Sequence, residues 1–130
     1  MIERDDLILQ LVSKKLTHCP NGETVKELWD HFDYELNHSE VVWLEEAGKV
    51  TAFCDFSWIN APEDADYLDE CGSTDGPVLF IMNVWCSKPG LMWKLKRMLP
   101  PHRWIAWRVR KEEYSKVYAP KGWPMKEMVA

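Results

Sequence analysis

The turn Ser87-Lys88-Pro89-Gly90 has the composition and the position of an anion-binding site. It follows an apolar, strand-favouring run from Val78 to Trp85 and precedes a short basic segment from Leu91 to Leu99 that favours a helix. A helix that begins at a Gly-containing turn presents free backbone N–H groups, and its dipole adds partial positive charge there. If the protein binds a phosphate-bearing ligand, the sequence therefore predicts that it binds at this turn.

The cysteines and histidines show no spacing that is typical of a metal site. The four cysteines, at positions 19, 54, 71 and 86, form no CxxC pair. Cys54 and Cys86 lie within apolar strand patterns, where a cysteine is expected to act as a small buried hydrophobe. The pair His18-Cys19 and the pair His31/His38 lack zinc-finger spacing. We therefore expect no metal site and reduced thiols.

The composition predicts one globular domain, residues 1–130, because 46% of the residues are hydrophobic and eight are tryptophans. The apolar runs are shorter than the roughly 18 residues of a membrane span, so no membrane association is expected. The first residues, MIERDDLILQL, include two adjacent aspartates and no small-residue cleavage site, which is unlike a signal peptide. These observations predict a cytoplasmic protein.

The net charge of −5 conceals an uneven distribution. Residues 1–75 carry five Lys or Arg and 18 Asp or Glu, whereas residues 76–130 carry eleven and three. Either two oppositely charged faces of one domain attract each other, or the basic half binds an anion such as a nucleotide-like cofactor, nucleic acid or an acidic protein. The acidic half disfavours non-specific binding to nucleic acid, which is the least favoured of these partners.

Two helices are predicted before the first strand. The first runs from Leu7 to Thr17, with an aspartate at position 5 or 6 as N-cap. The second runs from Thr24 to Leu36, with Thr24 as N-cap and Glu27 at capping-box spacing. Helical spacing predicts that the buried positions are Leu7, Ile8, Leu11, Val12 and Leu16 in the first helix, and Val25, Leu28, Trp29 and Phe32 in the second.

A hairpin is predicted next, with strands Glu40–Leu44 and Val50–Trp58 around a turn at residues 46–49, where Gly48 supplies a positive φ. The alternation in the second strand indicates that one face is more buried, with positions 50, 52, 54, 56 and 58 on one side. The acidic, turn-rich residues 61–76 predict a long surface loop.

A strand at 103–110, a short helix at 111–118 and a terminal strand after Gly122 complete the predicted elements. The strand–helix–strand unit from 78 to 110 should form a parallel crossover. The sequence therefore predicts an α/β fold with a mixed, mostly antiparallel sheet flanked by helices.

From Val41 to Met125 this order of elements resembles the GNAT acyltransferase superfamily, in which a strand, a loop and a helix N-terminus hold the pyrophosphate of acetyl-CoA. The stretch from Glu113 to Trp123, with its tyrosine followed by glycine and an aromatic residue, resembles the late helix of that family. The resemblance implies an acyl-CoA-dependent N-acyltransferase. It places the cofactor on Val84, Trp85, Cys86, Lys88, Gly90, Leu91 and Met92.

The loop departs from the family pattern of Arg or Gln, two residues, Gly, one residue, and Gly or Ala. With Gly90 on the first glycine, Ser87 stands at the Arg/Gln position and Met92 at the second small position, while Pro89 lacks an N–H group. Basic residues in and after the turn add charge, but charge positions a pyrophosphate less well than a row of N–H groups does. These departures imply a divergent member with weakened catalysis.

The resemblance also implies catalytic residues. Tyr118 matches the tyrosine that reprotonates the leaving thiolate, and Asp55 or Glu45 on the hairpin strands would act as the base. The alternatives are that the tyrosine packs against the sheet and that the carboxylates are solvated. Asn83 interrupts an apolar strand, where a buried amide either lines the cleft or bonds to the local backbone.

The alternative function is a non-catalytic GNAT-fold module that binds another protein. The segment RWIAWRVR at 103–110 carries tryptophan and arginine on both faces, a composition typical of protein-binding hot spots. Small members of this fold occur in bacteriophages, which would place such a protein in the host cytoplasm or the virion. The two functions differ in whether acetyl-CoA binds.

Overall fold

The computed structural model describes residues 2–60, 76–102, 104–108 and 117–118. In these ranges it contains helices α1 (Arg4–His18), α2 (Val25–Asn37) and α3 (Leu91–Met98). The strands are β1 (Val41–Glu46), β2 (Lys49–Ile59), β3 (Val78–Cys86), β4 (Trp104–Arg108) and the two-residue β5 (Val117–Tyr118). The fold is therefore α/β.

The strands form one mixed sheet in the order β1-β2-β3-β4-β5. β1 and β2 are antiparallel, from Val41 opposite Asp55 to Glu46 opposite Lys49. β3 and β4 are parallel, and Val78 to Ile81 lie opposite the first four residues of β4. This pairing confirms the parallel crossover between residues 78 and 110. β4 and β5 are antiparallel.

The chain divides into two compact units. One comprises residues 1–55 and 83–99, and the other comprises residues 56–82 and 100–130. The first unit buries a core of Leu7, Ile8, Leu11, Val12, Leu28, Phe32, Val41, Val50 and Phe53. The second buries a smaller core of Ile59, Val78, Phe80 and Ala106. Across the described ranges, none of the helices has the length and apolar character required to cross a membrane.

Helix α1 differs from its prediction at both the cap and the buried face. Glu3 is its N-cap, without a side-chain cap bond, so the aspartates at 5 and 6 lie in the first turn. Leu16 is 37% exposed, and Lys15 is 3% exposed in its place. At about 100° per residue, Lys15 falls at the centre of the arc that the other apolar positions define, and Leu16 at its edge. The Lys15 Nζ donates to the Cys19 carbonyl at 2.6 Å and pairs with Glu23 at 3.1 Å.

Helix α2 confirms the predicted capping box. The Glu27 N–H donates to the Thr24 Oγ1 at 3.1 Å, and the Thr24 N–H donates to the Glu27 Oε1 at 2.9 Å. Leu28 and Phe32 are buried as predicted. The prediction for Val25 is wrong, because this residue opens the helix ahead of the buried positions and is 55% exposed.

Replacing Thr24 by alanine is expected to lower the free energy of unfolding by about 1 kcal/mol, because the Glu27 N–H at the helix start loses its acceptor, the Thr24 hydroxyl. Thr17→Ala removes the same hydroxyl from an exposed position of α1 and should change stability by less than about 0.5 kcal/mol. Urea unfolding of both variants measures the difference. Equal losses would contradict a capping role.

The hairpin turn consists of Ala47 and Gly48, with φ of 53° and 76°, the two left-handed residues of a type I′ turn. The side chain of Gln10 holds this turn on α1. Its Nε2 donates to the Gly48 carbonyl at 2.9 Å, and its Oε1 accepts from the Val50 N–H at 2.7 Å. The predicted turn is confirmed, although β1 reaches Glu46.

The pairing of β1 and β2 shifts between Leu44, opposite Ala52, and Glu45, opposite Val50. Thr51 is therefore an extra residue, a β-bulge that reverses the alternation before it. Val50 consequently packs in the same core as Phe53, instead of on the opposite face. In addition, all residues from Ala52 to Phe56 are buried. The prediction that one face of this strand is more buried than the other is therefore wrong.

The last predicted helix is corrected in part. Val117 and Tyr118 form strand β5, in which Tyr118 lies opposite Trp107. Residues 111–116, the acidic loop at 61–75 and the predicted terminal strand lie outside the described residues.

Candidate functional site

The predicted anion site lies at the start of α3. Gly90 is the N-cap, with φ of 93°, and α3 begins at Leu91 as predicted. The left-handed backbone favours glycine at this position. Glycine offers no capping side chain, and the first turn contains no acidic residue. The backbone N–H groups of this turn and the positive end of the helix dipole are therefore available to an anion.

The seven residues assigned to the cofactor divide by exposure. Lys88, Gly90 and Met92 are exposed, Leu91 is buried, and Val84, Trp85 and Cys86 are half-buried. Met92 is 48% exposed, so its side chain lies outside the core of its unit. The basic side chains that accompany the turn are all exposed: Lys88, Lys94, Lys96 and Arg97.

The end of β3 is attached to α1. The Trp85 ring stacks on His18 with centroids 4.7 Å apart, and the Lys14 Nζ lies 4.8 Å from the centroid of the Trp85 ring. The Val84 carbonyl accepts a weak hydrogen bond from the Cys19 thiol at 3.8 Å. Burial raises the pKa of the Cys86 thiol. These contacts position the strand that leads into the turn.

The residues assigned to catalysis occupy separate positions. Tyr118 belongs to β5, and its side chain lies outside the described part of the structure. Asn83 is half-buried on β3, and Glu45 is exposed on β1. Asp55 has no exposed surface and accepts a hydrogen bond from His31, so it is not a solvated carboxylate.

Asp55 instead belongs to a buried cluster with two residues of α2. The His31 Nε2 lies 3.0 Å from the Asp55 Oδ2 and 3.2 Å from the Glu35 Oε2. One donor atom from each residue lies within 4.8 Å of the other two. The Glu35 and Asp55 side chains are 1% and 0% exposed, whereas the His31 side chain is 34% exposed. The imidazole therefore forms the solvent side of this cluster.

Local structure explains how these three side chains meet. His31 and Glu35 are four residues apart on α2 and share one face of the helix. Asp55 and Phe53 are two residues apart on β2 and share one face of the strand. The rings of Phe32 and Phe53 pack edge to face with centroids 5.9 Å apart, which holds α2 over this face.

The charges of the cluster shift two pKa values upwards. Burial alone lowers the pKa of His31, but the hydrogen bond to Asp55 and the charges of Glu35 and Asp55 reverse this effect and raise it to about 10. Burial, followed by the charge of Asp55, raises the pKa of Glu35 to about 10, against the opposing effect of His31. Folding therefore favours the protonated forms of both the His31 imidazole and the Glu35 carboxyl group.

Three carboxyl oxygens of the cluster accept no hydrogen bond from any described residue: both oxygens of Glu35 and the Oδ1 of Asp55. The 3.2 Å approach of the Glu35 Oε2 to His31 is a close ionic contact without hydrogen-bond alignment. Buried polar atoms are normally paired, so this arrangement is unusual.

The surroundings of the cluster are also acidic. Glu40 is 7% exposed, its N–H donates to the Glu35 carbonyl at 2.9 Å, and burial raises the pKa of its side chain. Burial, assisted by the charges of Asp55 and Glu35, raises the pKa of the Cys54 thiol. Cys54 is thus the small buried residue that its strand pattern predicts.

His31 and Glu35 were not among the residues predicted to be functional, because the histidines lack zinc-finger spacing. The spacing that these two residues do have, His-x-x-x-Glu, places both on one helix face. A second signal was Asp55, a carboxylate in the middle of an apolar strand. Together the two signals indicate a buried polar cluster, but only the packing of α2 on β2 brings them together.

We compared the chain with models of known protein families and with curated protein sequences, and neither comparison gives a match.

Proposed function

We propose that this protein is a divergent GNAT-like protein that binds an acyl-CoA thioester and transfers the acyl group to an amine. The observation that carries this proposal is the parallel pair β3 and β4, connected through a helix that begins at a left-handed glycine. This is the arrangement in which the superfamily binds acetyl-CoA, and it agrees with the resemblance in the order of the elements.

The start of α3 supplies the groups that a pyrophosphate requires. The N–H groups of its first turn are uncapped by a side chain, and Lys88 and Lys94 are exposed beside them. Because N–H groups orient the phosphate oxygens and the lysines add charge, affinity should depend on the backbone geometry at Gly90.

The proposed chemistry is acyl transfer. The amine loses a proton and attacks the thioester carbonyl, the C–S bond breaks, and the thiolate takes a proton. The resemblance assigns the last proton to Tyr118. Of the two carboxylates considered as base, Glu45 is exposed to solvent, whereas Asp55 is buried against His31.

Calorimetric titration with acetyl-CoA tests the binding step. The wild-type protein should bind below about 1 mM, and Gly90→Ala should bind about tenfold more weakly because alanine disfavours φ of 93°. Gly22→Ala is the matched control, since Gly22 has φ of 77° and open space for a Cβ. Both variants should lose similar stability, and only Gly90→Ala should lose affinity.

Turnover separates binding from catalysis. Tyr118→Phe should lower the rate of acyl transfer while the affinity for acetyl-CoA stays nearly unchanged. Absence of binding at millimolar acetyl-CoA would overturn the enzyme function.

One observation favours the alternative of a protein-interaction module. Helix α3 exposes three large apolar side chains, at 48%, 66% and 45% for Met92, Trp93 and Met98, and the Lys96 Nζ lies 5.4 Å from the centroid of the Trp93 ring. An exposed tryptophan beside basic residues is typical of binding hot spots. The same calorimetric titration discriminates the two functions, because an interaction module requires no acetyl-CoA.

A further inference from the structure

We propose that His31, Glu35 and Asp55 form a binding site for a divalent metal ion of the zinc type, with one nitrogen and two oxygen donors. This site is separate from the proposed acyl-CoA site and does not depend on it.

The donor atoms are already close together. The Nε2 of His31 lies 3.0 Å and 3.2 Å from one oxygen of Asp55 and of Glu35. Ligands that bind zinc at about 2.0–2.2 Å in a tetrahedral arrangement lie a little over 3 Å from one another. The third separation is at most 4.8 Å, so a small movement of one carboxyl group completes the arrangement.

The unpaired oxygens are the second observation that points to an ion. Glu35 and Asp55 are both more than nine-tenths buried, and three of their four carboxyl oxygens have no hydrogen-bond partner among the described residues. Burying a carboxyl group without partners costs several kcal/mol by order of magnitude. A cation held by the donor atoms named above would give the Glu35 Oε2, one of these three oxygens, a partner.

The electrostatic field around the site favours a cation. Within the described ranges, the only ion-pair partner of Glu35 and of Asp55 is His31. Glu40 is a further acidic group near the cluster. Burial and the charge of Asp55 raise the pKa of Glu40, and the charge of His38 lowers it. With two carboxylates and one neutral imidazole the ligand set has a charge of −2, which balances a divalent ion.

The ligand types select among metals. An imidazole nitrogen favours zinc, copper, iron or nickel over magnesium and calcium, which prefer oxygen donors alone. Three protein ligands leave a fourth position open on the solvent side, where the His31 side chain is 34% exposed. An ion here would therefore carry a water molecule or another small ligand.

Metal titration of the whole 130-residue chain, after treatment with a chelator, tests the proposal. Zinc should bind at micromolar concentration and raise the melting temperature, and magnesium should do neither at the same concentration. Glu35→Gln keeps the size of the side chain and should weaken zinc binding about 100-fold. Asp30→Asn, an exposed carboxylate on the same helix, is the matched control and should bind as the wild type does.

Cobalt distinguishes this site from adventitious binding to cysteine. Cobalt bound to one nitrogen and two oxygens gives weak visible absorption, whereas thiolate ligands add strong charge-transfer bands. Strong bands, or unchanged zinc affinity in Glu35→Gln, would overturn the proposal.

NMR of the imidazole rings tests the proposal on the wild-type protein. This test therefore does not depend on whether a variant folds. Saturating zinc should shift the ring nitrogen resonances of His31 and leave those of His18, His38 and His102 in place. Shifts at the other histidines alone, or no shift at millimolar zinc, would also overturn the proposal.

Discussion

Replacing His31 by alanine should lower the free energy of unfolding by about 3 kcal/mol at pH 8 in the absence of metal. The substitution removes the partner of Asp55 at 3.0 Å and the nearest positive charge to Glu35 at 3.2 Å. The buried carboxyl groups of Glu35 and Asp55, which are 1% and 0% exposed, then lie together without the imidazole that paired with them. Urea unfolding, with a check that the slope is unchanged, measures the effect.

The control is His38→Ala, which removes an exposed imidazole from the end of the same helix. Its hydrogen bond to the Tyr34 carbonyl is exposed, so a loss of about 0.5–1 kcal/mol is expected. The loss in His31→Ala should also become larger from pH 8 towards pH 5, because the raised pKa of His31 makes its stabilising effect greatest below the pKa of the unfolded imidazole. A loss that is equal at pH 5 and pH 8 would show that only packing was removed.

Replacing Glu35 by glutamine should stabilise the protein, in contrast to His31→Ala. The free energy of unfolding should rise by about 1–2 kcal/mol at pH 9 in metal-free protein. Glu35 is buried with two unpaired oxygens, and glutamine removes its tendency to ionise. The His31–Asp55 pair stays intact in this variant. Thermal and urea unfolding at several pH values measure the gain.

The pH dependence follows from the direction of the pKa shifts. The pKa of Glu35 rises from 4.5 to about 10 on folding, and that of His31 from 6.5 to about 10. Between about pH 5 and pH 10 the folded state therefore holds more protons than the unfolded state, and stability falls as the pH rises. The pKa of Glu40 shifts in the same direction.

Glu35→Gln should flatten this decline, whereas Glu46→Gln, at an exposed position of β1, should leave it unchanged. A wild-type protein that becomes more stable from pH 5 to pH 9 would contradict the assigned protonation states. With zinc present the sign should reverse, because the ligands must lose protons to bind the ion.

The sequence could predict the features that depend on neighbouring residues. The capping box of Thr24 and Glu27, the positive φ at Gly48 and the start of α3 after Gly90 all follow from local chemistry. The parallel pairing of β3 and β4 was also predictable, since the connection through one helix favours it.

The features that depend on distant contacts could not be predicted in this way. Periodicity places position 15 on the buried arc of α1, but a lysine can be buried there only because its Nζ binds the Cys19 carbonyl and Glu23, two partners in the following loop that periodicity does not reveal. Likewise, an aspartate in a strand has the same local pattern whether water or a histidine lies opposite it. Only the packing of α2 on β2 decides that Asp55 meets His31.

The bulge at Thr51 makes the length of the hairpin more important than the identity of that residue. The Gln10 side chain binds both the Gly48 carbonyl and the Val50 N–H. Asp55 can be buried at the same time only if one extra residue lies between Val50 and Asp55. Substitutions at position 51 should therefore be tolerated, while deletion of one residue would turn Asp55 away from α2 or release the turn. Among related chains, insertions and deletions should consequently be rarer between positions 48 and 55 than exposure alone suggests.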